Sequence, residues 1–278
     1  MRIDALIASA TQALADAHIS ETPQLDAQLL LCFVLDKPRT YLYTWPEKTL
    51  DAVTLSRFET LLTRRLQGEP IAHLTGEREF WSLTLEVNPS TLIPRPDTEA
   101  LIEHILALPL PEAAQVVDLG TGTGAIALAL ASEMPRWQMH AVDLQQPAVE
   151  LACRNRDRHG LRVDIRQSSW FEALSGLKFD LIVSNPPYIE ADDPHLSQGD
   201  VRFEPLSALV ADNNGLADIE HIIEKGRDFL NDGGTMVLEH GFEQAGAVRQ
   251  LFEQYGYQQV GSGKDLAGKD RFSFGRLG

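Results

Sequence analysis

Cysteine is scarce in this chain: Cys32 and Cys153 are the only two in 278 residues. They are far apart, with no Cys-x-x-Cys pair and no nearby histidine at ligand spacing. That excludes a disulfide framework and a zinc site of the usual kind, so both read as reduced structural thiols and no metal is expected. Long apolar runs are missing as well. The longest, 29–35 and 125–131, span seven residues each, against the ~20 needed to cross a bilayer. No membrane partner is expected. Positive charge is also short, with 24 Lys plus Arg against 40 Asp plus Glu and a net charge of −16. Such a balance argues against a protein that grips nucleic acid through its phosphates. The first twenty residues carry Asp4 and Asp16 in an amphipathic pattern, not a basic start followed by a continuous apolar stretch. A signal peptide is therefore not expected, and the location reads as cytoplasmic.

What is present is ordinary globular material, 44% hydrophobic and 23% charged, in a length that predicts two domains. Up to about Gly76 apolar residues recur at helical spacing: Ile3, Leu6, Ile7, Ala10 and Leu14, then Leu25, Leu29, Leu30 and Phe33, then Leu55, Phe58, Leu61, Leu62 and Leu66. This predicts a small all-helical unit (1–76), with Thr49 or Asp51 capping the third helix and Gly68 following its last turn. From Glu79 to Val87 the pattern alternates, and the Pro-rich stretch 88–96 ends it. A hairpin linker over 77–97 follows from that switch. A helix over 98–108 comes next, and then apolar strands alternate with amphipathic helices to the end of the chain (98–278). Strands are expected at 116–119, 139–142, 163–167, 181–184 and 235–238, with a closing pair at 258–261 and 272–276. The pattern predicts an α/β fold, a parallel sheet with helices on both faces.

After the first of these strands comes Asp118-Leu119-Gly120-Thr121-Gly122-Thr123-Gly124. Glycines there let the backbone turn sharply and a ligand approach the main chain. The loop fits a dinucleotide fingerprint and equally the loop of S-adenosylmethionine-dependent methyltransferases. Asp143 closes the second strand, where an acid accepts hydrogen bonds from ribose hydroxyls; a helix cap is the simpler alternative. The fourth strand ends in Asn185-Pro186-Pro187-Tyr188. Two prolines stiffen this turn, while the Asn185 side-chain oxygen and the Pro186 carbonyl can accept hydrogen bonds and Tyr188 offers a flat face. Two acceptors beside an aromatic plate suit a planar NH2 group, which hydride transfer does not need. A plain proline turn is the bland alternative.

These motifs, with Gly68–Gly76, Glu79-Phe80-Trp81, Leu92–Glu99 and Leu238-Glu239-His240-Gly241, resemble the release factor glutamine methyltransferases (the HemK/PrmC family) over essentially the whole chain. The resemblance implies a helical N-terminal substrate-recognition domain, a hairpin linker and a Rossmann-like seven-stranded class I methyltransferase domain. It also implies methylation of the glutamine amide nitrogen (N5) in the Gly-Gly-Gln motif of peptide chain release factors. S-adenosylmethionine, converted to S-adenosylhomocysteine, would be held by Gly120, Thr121, Gly122, Thr123, Gly124, Asp143, Trp170 and Asn185. Trp170 would contact the adenine, beside Ser169 where many methyltransferases carry an acid. Asn185, Pro186, Pro187 and Tyr188 would hold the glutamine, with Asn185, Pro186 and Tyr188 as the catalytic set. The rival reading is a nucleic-acid amino methyltransferase acting on adenine N6 or guanine N2. Charge weighs against it, and the run Arg154, Arg156, Arg158, Arg162 and Arg166 reads as a solvated face, so no direct nucleic acid is expected. A dehydrogenase and a non-catalytic binding module complete the alternatives.

Overall fold

A computed structural model describes residues 1–278. The chain divides into two compact units, Met1–Glu77 with Pro194–Phe203, and Arg78–Asp193 with Glu204–Gly278.

The first unit is helical: α1 (Ile3–Asp16), α2 (Pro23–Leu35), α3 (Arg39–Thr44), α4 (Ala52–Leu66) and α5 (Ile71–Thr75). Ile3, Leu6, Ala10 and Leu14 bury one face of α1 against Leu30, Leu31 and Phe58 of α2 and α4. Of the two candidate caps, Asp51 does the work, its carboxylate accepting from the Thr54 N–H at 2.8 Å. Helices α3 and α5 went unread because one turn or so of helix leaves no periodicity to detect. Phe33 belongs to the apolar run of α2 but is 43% exposed, so the expected burial of that face stops short of it. The unit has one buried ion pair. Arg65 Nε donates to Asp26 at 2.8 Å, and Arg65 Nη1 donates to Asp200 at 3.0 Å and to the Glu69 carbonyl at 3.0 Å. Arg202 donates to the Gln67 carbonyl at 3.0 Å, so Pro194–Phe203 is fastened at two points.

The second unit opens with a two-stranded hairpin, β1 (Glu77–Phe80) and β2 (Leu83–Glu86). Helix α6 (Glu99–Leu106) follows a tighter turn at Pro96–Thr98 and ends before Pro109, which disfavours helical φ/ψ in the residue ahead of it. Then come β3 (Gln115–Leu119), α7 (Ala125–Glu133), β4 (Gln138–Asp143), α8 (Gln146–His159), β5 (Val163–Gln167) and β6 (Phe179–Ser184). After a long connection that includes the four-residue segment α9 (Asp212–Gly215), the unit closes with α10 (Ala217–Gly226), β7 (Leu230–Glu239), α11 (Ala245–Gln254), β8 (Tyr257–Lys264) and β9 (Asp270–Leu277). The seven strands form one sheet in the order β5-β4-β3-β6-β7-β9-β8, in which β9 pairs antiparallel with both β7 and β8. Alternate residues feed opposite faces: Val116, Leu181 and Val183 enter one core, Val117, Leu119 and Ile182 the other. Helix α7 is buried at every position from Ala125 to Ala131, which is why its sequence is apolar all round.

Strand β7 is longer than its apolar stretch. Asn231–Gly234 look like a turn and form a bulge between the Phe179–Leu230 and Leu181–Thr235 pairs, yet the strand runs through them; Gly233 takes φ 74° and its carbonyl accepts from Arg276 Nε at 2.8 Å. In the basic run, Arg154 pairs with Glu86 at 2.9 Å, Arg156 with Asp157 at 2.8 Å and Arg166 with Asp164 at 2.5 Å. No helix is long and apolar enough to cross a membrane.

Candidate active site

Strand order reverses between β3 and β6, and in open parallel sheets ligands bind beyond the carboxyl ends of the strands at such a point. A cavity of about 220 Å³ lies there. Gly120, Thr121, Gly122 and Thr123 form one wall; Asp143, Trp170, Asn185 and Pro187 contribute to the others.

The loop after β3 is shaped by positive φ at Gly120 (69°), Gly122 (56°) and Gly124 (85°). A Cβ on Gly120 would lie in ordinary contact with the Trp170 ring, at 3.5 Å, so it is the positive φ that calls for glycine there. Gly124 is not part of the wall; it serves as the N-cap of α7. Beneath the loop, the Asp118 carboxylate accepts from Thr121 Oγ1 at 2.6 Å and from the Ala127 N–H at 3.3 Å. Asp143 both caps and braces. One oxygen accepts from the Gln145 N–H at 2.9 Å, the capping bond weighed as an alternative, and the other from the Gly122 N–H at 2.9 Å. Trp170 is itself held with φ 46° just after Ser168, whose hydroxyl donates to the Trp170 carbonyl at 3.0 Å.

The Asn185–Tyr188 turn is divided by the structure. Asn185 and Pro187 face the cavity, whereas Pro186 is buried and Tyr188 lies outside the wall. Instead of offering a free face, Tyr188 packs against the core that contains Leu119 and Ile182. Its hydroxyl donates to the Glu239 carboxylate at 3.3 Å. Glu239 is fully buried, and desolvation pushes its carboxyl up to about 7; the same cause raises Asp118 to about 7 and the Tyr188 phenol upward. Sequence reasoning missed Thr91 and Thr98. Both line the cavity; the Thr91 hydroxyl is buried without a hydrogen-bond partner, while the Thr98 hydroxyl donates to the Glu239 carboxylate. Thr91 comes from the Pro-rich stretch and Thr98 from the start of the expected 98–108 helix, and no periodicity marks either as inward-facing.

The raised carboxyls predict a pH dependence. Each binds its proton more tightly in the folded chain than in the unfolded one, so the folded state holds extra protons above the ordinary carboxyl range. Stability should therefore fall as pH rises from about 4 to about 7. Thermal melting of the cofactor-free protein across this range checks it, and Asp118→Asn should flatten part of the slope. An unchanged slope in that variant would assign the effect elsewhere.

Comparison with known proteins agrees with this geometry. The family "PrmC N-terminal domain" matches residues 5–76, and "Methyltransferase small domain" matches 96–199. A release factor glutamine methyltransferase from Aliivibrio fischeri is 55% identical over 278 residues, covering 99% of this chain and 98% of its own. That of Escherichia coli K12 is 52% identical over 266 residues, covering 95% and 96%. Among solved structures, a methyltransferase from Pyrococcus furiosus superposes with a TM-score of 0.56 at 20% identity, covering 79% of this chain and 99% of its own. A T. thermophilus 16S rRNA methyltransferase in complex with AdoMet and guanosine gives 0.53 at 19% identity, covering 73% and 50%. The two solved structures share the sheet fold, and identity above one half along nearly the full length of both chains is decisive: the chain belongs to the release factor glutamine methyltransferase family.

Proposed function

We propose that the chain transfers a methyl group from S-adenosylmethionine to the side-chain amide nitrogen (N5) of the glutamine in the Gly-Gly-Gln motif of peptide chain release factors. The observation that carries this reading is Asn185 at the end of β6, in one cavity with the glycine loop and Asp143. The cavity's residues fit the cofactor. Backbone turns at Gly120 and Gly122 admit a close ligand, Asp143 suits ribose hydroxyls, and Trp170 presents an indole to the adenine, with Ser169 beside it. Thr91 brings a buried hydroxyl that lacks a partner. S-adenosylmethionine supplies an activated methyl group.

The rest is positioning by this chain's own residues. An amide nitrogen is a poor nucleophile because its lone pair is delocalised into the carbonyl. Asn185 Oδ1 and the Pro186 carbonyl accept its two N–H bonds, orient the lone pair and stabilise the positive charge that grows on nitrogen. Pro187 and Tyr188 keep that turn stiff. Transfer would exchange the methyl–sulfur bond of the sulfonium for the new N–C bond, with one amide proton passing to solvent and S-adenosylhomocysteine left as product. None of the 8 histidines is needed as a base.

A release-factor substrate sets the activity in the cytoplasm, with no direct nucleic-acid or membrane partner. The pairing of Arg154, Arg156 and Arg166 with carboxylates supports this, since three of the five arginines of the basic run already have local partners of opposite charge. In the reading proposed, 1–76 recognises the protein substrate, 77–97 links, and 98–278 carries the chemistry. Incubation with labelled S-adenosylmethionine and, in parallel, release factor, RNA or DNA should label the release factor alone, and replacing its Gly-Gly-Gln glutamine should abolish labelling. Label in RNA or DNA would favour the amino methyltransferase of nucleic acid.

A further inference from the structure

Gln244, at the start of α11, uses all of its carboxamide to join three segments. Its Oε1 accepts from the Gly241 N–H at 2.8 Å, and its Nε2 donates to the Tyr188 carbonyl at 3.0 Å and to the Asn214 carbonyl at 3.1 Å. The Asn214 end is unusual. Asn213 and Asn214 have φ 56° and Gly215 has φ 74°, three successive residues in a conformation that L-residues visit singly. This left-handed turn brings Gly215 against Tyr188 so closely that a Cβ there would lie 2.1 Å from the Tyr188 carbonyl oxygen.

Tyr188 is thus fixed on every polar atom. Its N–H donates to the Leu209 carbonyl at 3.2 Å, its hydroxyl to Glu239 and its carbonyl accepts from Gln244. Yet Tyr188 does not face the cavity; Asn185 does. The near end of the turn is anchored too, by Ser184 Oγ donating to the Leu119 carbonyl at 2.6 Å. Two prolines separate these anchors, so a displacement of Tyr188 passes along the turn instead of being absorbed by rotation about φ.

We propose that Gln244 is a positioning residue for methyl transfer: by holding the Tyr188 carbonyl against the left-handed turn, it sets where Asn185 Oδ1 and the Pro186 carbonyl stand. This rests on the reading of Asn185–Tyr188 as the acceptor turn. Gln244 touches neither the cavity nor the reacting atoms, and acts only through Tyr188.

Two substitutions separate this role from a merely structural one. Gln244→Met keeps the length and loses every hydrogen bond. Gln244→Glu keeps the acceptor for the Gly241 N–H but offers no donor to Tyr188 or Asn214. Both should bind S-adenosylmethionine like the unaltered protein by calorimetry. Both should lower kcat on a Gly-Gly-Gln peptide by about 10–100-fold, the scale of a reactant misplaced by around an ångström, with KM for S-adenosylmethionine unchanged. Added to Asn185→Ala, Gln244→Met should cost little more, because the two act through one turn. Retained kcat in either variant, rescue by glutamate, multiplied losses in the double variant, or loss of cofactor binding along with turnover would each overturn the proposal. Were the unaltered chain to label RNA and not the peptide, the glutamine reading would fall, while the same kcat comparison on that RNA would still decide the role of Gln244.

Discussion

Asn185→Ala should lower kcat on release factor by roughly 10²–10³-fold, the loss typical of one preorganised polar contact to a developing charge. Cofactor affinity should change far less, because Asn185 is one residue of a wall whose other members are Gly120–Thr123, Asp143 and Trp170. The asymmetry follows from what the side chain does. The ground-state amide is neutral and gains little from a second acceptor, whereas the nitrogen in the transition state carries partial positive charge that Asn185 Oδ1 meets directly. Asn185→Asp is informative beside it. A carboxylate still accepts both in geometry and in charge, so it should retain more activity than alanine if acceptance is the role, and no more if the Asn185 NH2 group is what matters. Single-turnover transfer of labelled methyl, with calorimetric binding of S-adenosylmethionine, measures both. Near-normal turnover in Asn185→Ala with intact cofactor binding would remove Asn185 from the reaction.

The sheet was legible because burial dictates it. Strand β5 occupies 163–167 as its pattern predicts, and β3, β4 and β6 extend their predicted spans by a residue or two at the ends, where strands carry polar residues into loops. The glycine loop could be read because its backbone cannot be built otherwise. Three things could not be read. Asn231–Gly234 have turn composition but lie within β7 as a bulge, because the pairs on either side of them, Phe179–Leu230 and Leu181–Thr235, hold both ends of the strand to β6. Tyr188 bears the chemistry of a stacking face, and nothing local reveals that Glu239, 51 residues on, holds its hydroxyl within the fold. Gln244 meets the Tyr188 carbonyl from 56 residues away, a contact that no spacing rule reports. Local signals identify which groups a site contains; the long-range hydrogen bonds that aim them become visible only in the folded chain.

Arg65→Ala should destabilise the helical unit by about 3–5 kcal/mol, since it strands the Asp26 carboxylate in a buried position with its partner gone. The side chains of Arg65 and Asp26 are 6% and 8% exposed, so water cannot replace the lost bond. Arg65→Met with Asp26→Leu removes both charges and should recover much of the loss, which separates an unpaired charge from lost packing. Hydrogen exchange at the amides of α2 and α4 reads this unit directly. A functional consequence follows from where Asp200 lies. Arg65 also holds Asp200, which fastens Pro194–Phe203 to the helices, and this segment departs from the chain shortly after Tyr188. If the helical unit docks the release factor, Arg65→Ala should raise KM for intact release factor while a short Gly-Gly-Gln peptide, too small to reach the helices, is turned over as before. Equal losses on both substrates would place the effect of Arg65 on the acceptor turn itself and leave the helical unit without a docking role.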